Sequence, residues 1–390
     1  MSQNRWEVRL LAACSFLSFA FLAPAAAAQG TARSMDIDGS AISSAMGGAS
    51  AAVFWSAEPN YWANPALLGY YQGVRYQYAR SQLVPGLAED VFLTSDRVTL
   101  AAYGVGLEVG RTKLDYGPST WIDEYGHVLG EFEAYEEVGA ITVGLSVSGL
   151  VRSIAPGSPV AALARNLDLA VGFARKDVEM KLHPGMFAEA SGNPYDIGLL
   201  ARGGLDLGVL GGAAVPARLD AGFGLSVLNF NDVEFTFLNE DAAWPPSRMR
   251  RLGGSVRLAV GQPAAWAATG GRGFPGVLLR GLDPLVSLGL AYDDEHVQAG
   301  DWSAYGYDVT HVGGELTCLN VLSLRVGHVT DRTGDIEGTT WGVGVGLPIA
   351  GVAGVRYDYA RYPQSSSLPD VKRHTASVFV DSIALWRLRR

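Results

Sequence analysis

From Tyr70 onward the chain alternates. Val74, Tyr76 and Tyr78 fall on one face, with Arg75, Gln77 and Ala79 on the other. Leu167, Leu169, Val171 and Phe173 alternate with Asp168, Ala170, Gly172 and Ala174. Val286, Leu288, Leu290 and Tyr292, then Leu322, Leu324, Val326 and His328, repeat the pattern, and Trp341, Val343, Val345 and Leu347 alternate with glycines. A period of two marks strands, and here it recurs almost to the C-terminus. One face is large and apolar while the other is Gly, Ala or polar. Segments of about ten residues with that asymmetry predict a transmembrane antiparallel β-barrel, apolar toward lipid and smaller or polar toward the lumen. A secreted β-sandwich, its apolar face packed on a second sheet, is the competing architecture. Rings near strand ends, at Tyr70, Tyr71, Tyr116, Trp121, Trp302, Tyr305, Tyr357 and Tyr359, are expected to form girdles at the membrane interfaces.

Polar or Pro-rich stretches at 116–130, 187–196, 239–251, 262–276 and 293–305 interrupt the alternation. They are expected as outer loops, with tight turns at the opposite end, and the segments between them number roughly 12 to 14 by the ten-residue rule. Two uncharged runs do not read as spanning helices. Residues 138–151 are too short, and residues 339–355 carry five Gly and Pro348, which fits strand-turn-strand around 347–351.

Ahead of the strands lies a different element, residues 46–69. Asn64 is placed to cap a helical turn, Pro65 suits its first position, and Gly69 is expected to end it in a left-handed cap. Further upstream, Arg5 and Arg9 precede an apolar run from Leu10 to Leu22 and the small residues Ala26, Ala27 and Ala28. This is the order of a cleavable signal peptide, so the mature chain is expected to start near Gln29.

Composition sharpens the barrel reading. Charged residues are only 18% of 390, Gly reaches 49, and 16 Tyr and 9 Trp supply amphipathic rings. A net charge of −9 argues against nucleic acid as a partner. Once the signal is removed only Cys318 remains, so the mature chain forms no internal disulfide and depends on burial or a closed hydrogen-bond network. No catalytic chemistry emerges, and no cofactor is expected. The six His lack metal-ligand spacing, no Gly-x-Ser-x-Gly elbow occurs, and Gly342-x-Gly344-x-Gly346 sits in strand alternation without a phosphate-loop Lys. The acidic run from Asp293 to His296 reads as a solvated loop, since it lacks the Gly-bearing frame of a calcium site.

Met46-Gly47-Gly48-Ala49 followed by Asn64-Pro65-Ala66, just before the first strand, resembles the N-terminal segment of FadL-type outer-membrane barrels and their PorV/PorQ relatives. Gly346-Leu347-Pro348, the run from Val355 to Ala360 and the run from His374 to Val378 are similar to the C-terminal part of that superfamily. The basic end Arg387-Leu388-Arg389-Arg390 departs from its usual aromatic finish. The resemblance implies a barrel of about 14 strands with three divisions: a signal peptide at 1–28, an N-terminal hatch at 29–69 folded inside, and the barrel at 70–390. It also implies residence in outer-membrane lipid and no enzymatic activity. The function expected is passage of a hydrophobic small molecule past Gly47, Gly48, Phe54, Trp55, Tyr61, Trp62, Asn64, Pro65 and Ala66. A secretion scaffold binding secretion-system proteins is the alternative. For the rings and the Asn64 cap, plain packing is an equal expectation.

Overall fold

The computed structural model describes residues 32–381, apart from 57, 59, 160–165, 183–188, 211–214, 232, 237–242, 262–281, 283, 299–305, 332–335, 350–351 and 365–367. The signal segment and the basic C-terminus lie outside these residues. The strands are β1 (Gly73–Gln82), β2 (Phe92–Ala102), β3 (Val105–Ile122), β4 (Val128–Ser146), β5 (Leu167–Lys181), β6 (Glu189–Gly192), β7 (Tyr195–Leu210), β8 (Val215–Leu228) and β9 (Phe235–Thr236). They continue as β10 (Ala243–Trp244), β11 (Arg248–Val260), β12 (Val286–Gln298), β13 (Tyr307–Cys318), β14 (Leu322–Asp331), β15 (Ile336–Ile349), β16 (Ala353–Tyr362) and β17 (Val371–Val380).

β6 is a short addition to β5, and β9 with β10 forms a separate two-stranded pair. The other 14 strands make one antiparallel ring, closed where β1 pairs with β17 from Val74 opposite Val380 to Gln82 opposite Lys372. No edge of the ring is left open, so the sandwich is excluded and the 14-stranded barrel stands. The alternation has the expected sense. Leu169, Leu290 and Val326 stay 61%, 58% and 56% exposed on the outer face, while Arg75, Thr99, Asp220 and Arg325 are buried within. An apolar belt of this extent is stable against hydrocarbon and a liability against water.

Several expectations about loops and rings are corrected. Residues 116–122 continue β3, and the hairpin turns at Asp123, whose carboxylate accepts the amides of Tyr125 (2.9 Å) and His127 (2.8 Å). The acidic run is strand: Asp293 to His296 all belong to β12, with Asp293 and Glu295 buried on the lumenal face. Residues 262–276 lie outside the described residues. Their flanks Gly261 and Leu285 bond to each other at the end of the ring where β2 turns into β3, opposite the end expected for an outer loop. Tyr70 and Tyr71 belong to the inner segment, and Tyr116 turns into the lumen to donate to Glu136 (2.7 Å). On the outer face Trp341, Tyr359 and His374 stack at 5.6 and 5.3 Å. Trp302 and Tyr305 lie outside the described residues.

The described residues from 32 to 71 lie inside the ring. They comprise a 3₁₀ turn (Arg33–Met35), a short helix (Ala41–Ala45) capped by Ser40, and a second 3₁₀ turn (Pro65–Tyr70). The lumenal glycines let the segment lie directly on the wall. A Cβ at Gly144 would fall 2.7 Å from the Gly69 nitrogen, at Gly224 2.7 Å from the Ala51 carbonyl carbon, at Gly289 2.6 Å from the Trp55 ring, and at Gly313 2.6 Å from Met46 Cβ. Gly106, Gly172, Gly198, Gly253, Gly327 and Gly342 meet the segment in the same way, so ten neighbouring strands from β3 round to β15 contribute to the seat. Gly69 is itself one of these close approaches. Its Cβ would fall 2.7 Å from Leu145 of β4, and the turn runs on to Tyr70 without a left-handed residue. Gly69 is needed for space, not handedness.

The segment is also tied to the closing pair of strands. Glu58 Oε1 accepts from Arg75 Nη1 of β1 (3.1 Å) and from the Ser377 hydroxyl of β17.

Candidate functional site

Two groups of residues in the inner segment do different work. The first is the turn after the Ala41–Ala45 helix. Gly47 and Gly48 take φ of 72° and 94°, a region L side chains avoid. The Gly47 amide donates to Thr340 Oγ1 (2.9 Å), and its carbonyl accepts from His311 Nδ1 (2.7 Å). A carbonyl only accepts, so Nδ1 carries the ring hydrogen. A Cβ on Gly48 would come within 2.6 Å of the same imidazole. Three residues on, Asp293 Oδ2 accepts the amides of Ser50 (2.7 Å) and Ala51 (2.8 Å). These two charge-assisted bonds stand in for the missing sheet partners of a buried turn. Asp293→Asn removes the charge and keeps the shape. It is expected to lower stability by about 1–2 kcal/mol, read as a lower temperature for the heat-induced shift in electrophoretic mobility. An unchanged transition would mean the turn is held by packing alone.

The second group is aromatic. Phe54, Tyr61 and Ala66 share an apolar cluster with Ala52, Leu67, Leu68, Ala170 and Leu200, and Trp55 and Tyr70 pack against it. Phe54 and Trp55 meet edge to face at 5.2 Å. Wall cations cover the rings: Arg202 lies 4.8 Å from the Phe54 centroid, and Arg97 and Lys176 lie 5.2 and 4.9 Å from Trp62. Trp62 Nε1 donates to the Met35 carbonyl (3.1 Å). Asn64 is the capping residue its sequence position implies, its Oδ1 accepting from the Ala66 amide (3.0 Å) with Pro65 at the first helical position. Its Nδ2 also donates to the carbonyls of Ala51 (2.8 Å) and, on β7, Leu199 (3.1 Å). One side chain thus closes a turn, joins two parts of the segment and pins both to the wall.

The predicted residues are therefore brought together as packing, with Gly47 and Gly48 apart from the aromatic cluster. Of the nine, Gly48 lines one of the two cavities beside the segment. The open space lies on either side of the segment. Toward the end where β14 and β16 finish, a cavity of about 210 Å³ has an apolar wall of Met249, Val297, Val309, Val329 and Ile336. Its polar side is formed by Arg33, Asp36, Arg251, Glu295, His311 and Arg373. Arg251 pairs with Glu295, and Arg373 donates to Ser44 Oγ (2.8 Å) and to the Asp38 carbonyl. A second cavity, of about 420 Å³, lies at the opposite end beneath Gly69 and Tyr70. The wall charges of the first, Arg251, Glu295, His311 and Arg373, were missed because they sit singly at alternate strand positions. The signal that could have found them is a charge in a lumenal register, as in Asp293-x-Glu295 and Arg356-x-Asp358.

Burial pushes the Asp36 carboxyl up to about 7, against the pull of Arg33 and Ser247. The folded chain then holds a proton that the unfolded chain gives up above the ordinary value near 3.8. The resulting stabilisation is fully present below that value and is lost as pH rises through about 7. Amide exchange around residues 33–38, corrected for intrinsic rates, is expected to be less protected at pH 8 than at pH 6. Asp36→Asn should flatten the dependence; a dependence that survives the substitution assigns it to another group.

No protein-family model matches the chain, and no curated protein matches it. Among solved structures it is similar to a mutant of the TodX monoaromatic hydrocarbon channel (11% identity, 89% of this chain and 100% of that one, TM-score 0.39). It is also similar to the Ralstonia pickettii toluene transporter TbuX (12%, 87% and 97%, 0.37) and to a Pseudomonas aeruginosa FadL homologue (12%, 91% and 99%, 0.36). The fold assignment rests on the strand pairing itself.

Proposed function

We propose that this chain is an outer-membrane barrel of the FadL type, exported by a signal peptide at 1–28. Residues 29–69 act as its hatch and residues 70–390 as its barrel, and it takes in a small hydrophobic molecule. The observation that carries the reading is the 210 Å³ cavity in the lumen, with its continuous apolar wall directly above the inner segment. A cavity of about 150 Å³ accepts benzene, so this one suits a molecule of single-ring size. The apolar outer belt supports a place in lipid. Short connections at 103–104 and 319–321 support a periplasmic position for the end at which β1 begins and β17 finishes. In the conformation described, the hatch stands between the two cavities, so passage requires it to shift.

A scaffold barrel of the PorV/PorQ kind is the second reading, favoured by the fixing of the segment to ten strands. Uptake of labelled toluene by cells expressing the full chain, in an outer membrane depleted of other porins, separates the two. Uptake faster than in cells without the protein, and raised further by Gly313→Leu, which would unseat the hatch, supports passage. Uptake equal to that of cells without the protein overturns it and leaves the scaffold.

A further inference from the structure

We propose that the cavity at the turn end of the barrel is a binding site for an aromatic carboxylate, which rests on the passage reading and names a cargo class for it. Two arginines from different elements reach this cavity: Arg152 from the Val147–Ile154 helix and Arg202 from β7. Three tyrosines, Tyr70, Tyr71 and Tyr103, share its lining, and among the described residues no carboxylate does. In a chain of net charge −9 that is a local reversal of sign.

Two acids lie near, Asp168 held at the start of the helix and Asp220 paired more closely with Arg218 than with Arg202. Asp168 accepts from Ser146 Oγ (2.6 Å) and the Ser148 amide (2.8 Å), and Asp220 is held by Arg218 (2.9 Å), leaving it 3.7 Å from Arg202. Among the described residues Arg152 hydrogen-bonds to Ser148, in its own helix. Arg202 lies over the rings of Phe54 (4.8 Å) and Tyr70 (5.8 Å), which hold it at the base of the cavity. Among the described residues the Tyr70 hydroxyl has no hydrogen-bond partner.

A planar guanidinium held on aromatic faces suits a carboxylate, and tyrosine rings beside it suit an aromatic body. The volume of about 420 Å³ admits such a molecule with room to spare. The site lies on the far side of the hatch from the first cavity, so it takes cargo that has already passed.

Calorimetry on the full chain in detergent, titrated with benzoate, toluene and acetate, tests the assignment. Benzoate is expected to bind at least about tenfold more tightly than either, because only it offers both the charged acceptor and the ring. Arg152→Gln lies on an exposed helix and should fold normally, as checked by the heat-modifiable band. It is expected to weaken benzoate about tenfold, with toluene unchanged, and Arg202→Gln should do the same. Benzoate affinity unchanged in both variants, or equal to that of toluene or acetate, overturns the proposal. If benzoate fails while toluene uptake is accelerated, the cargo class is wrong and the passage reading survives. If neither binds nor enters, both fall.

Discussion

Replacing Gly172 by leucine is expected to leave the barrel closed and to drive the inner segment from its seat. Gly172 faces the lumen in the middle of β5, and a Cβ there would overlap the backbone of Pro65 and Ala66. The Asn64 cap binds the same stretch to β7, so the turn cannot slide aside without giving up its hydrogen bonds to Ala51 and Leu199. The strand loses nothing, since leucine is a better strand residue than glycine. An unseating of only about 1.4 kcal/mol raises the displaced fraction tenfold, and overlap with backbone on a rigid wall exceeds an ordinary overpacked core. The expected result is a heat-modifiable band of normal intensity, faster trypsin cleavage after Arg33, and larger conductance in planar bilayers. Gly254→Leu is the control, because a Cβ there meets nothing within 4 Å. Equal conductance of the two variants would show that the segment is not held by close approach.

Lys176→Met should be the most destabilising substitution that leaves the steric fit intact. Lys176 is 1% exposed on the lumenal face of β5, with its ammonium 2.9 Å from Asp196 and 3.0 Å from Asn229 Oδ1, over the ring of Trp62. Methionine fills the same volume and strands a buried carboxylate whose remaining partner among the described residues is the Asn229 amide (2.9 Å). Breaking a buried pair from one side costs about 3–5 kcal/mol. Asp196→Asn added to the first change removes the stranded charge, so the double variant is expected to be more stable than Lys176→Met alone. Urea titration of folded and unfolded bands measures all three. A double variant no better than the single would place the loss in packing around Trp62.

The barrel was legible because a wall between lipid and lumen imposes the same period of two on every strand, and Leu169, Leu290 and Val345 all obey it. The Asn64 turn was legible for a local reason, since capping needs only neighbouring residues. What stayed hidden depends on the third dimension. Asp293 and Glu295 read as a solvated loop because acids are rarely buried, and the inner segment's amides, Arg251 and His311 make burial tolerable there. Tyr116 has the spacing of a girdle ring, yet Glu136 draws its hydroxyl inward. Gly69 sits where a cap would stand, and only the proximity of Leu145 shows that space is what it supplies. Arg152 and Arg202 lie fifty residues apart and converge only because the ring folds back on itself.

The Glu58 junction has a consequence for how the barrel closes. One carboxylate oxygen is shared by the first strand of the ring, through Arg75, and by the last, through Ser377. Arg75 also donates to that serine (3.1 Å), so the three side chains form a single joint across the seam. Residues before β1 leave the ribosome first and β17 leaves it last. A joint that needs all three is complete only when β1 and β17 are paired and Glu58 lies at the seam, so closing the wall and seating the inner segment reinforce each other.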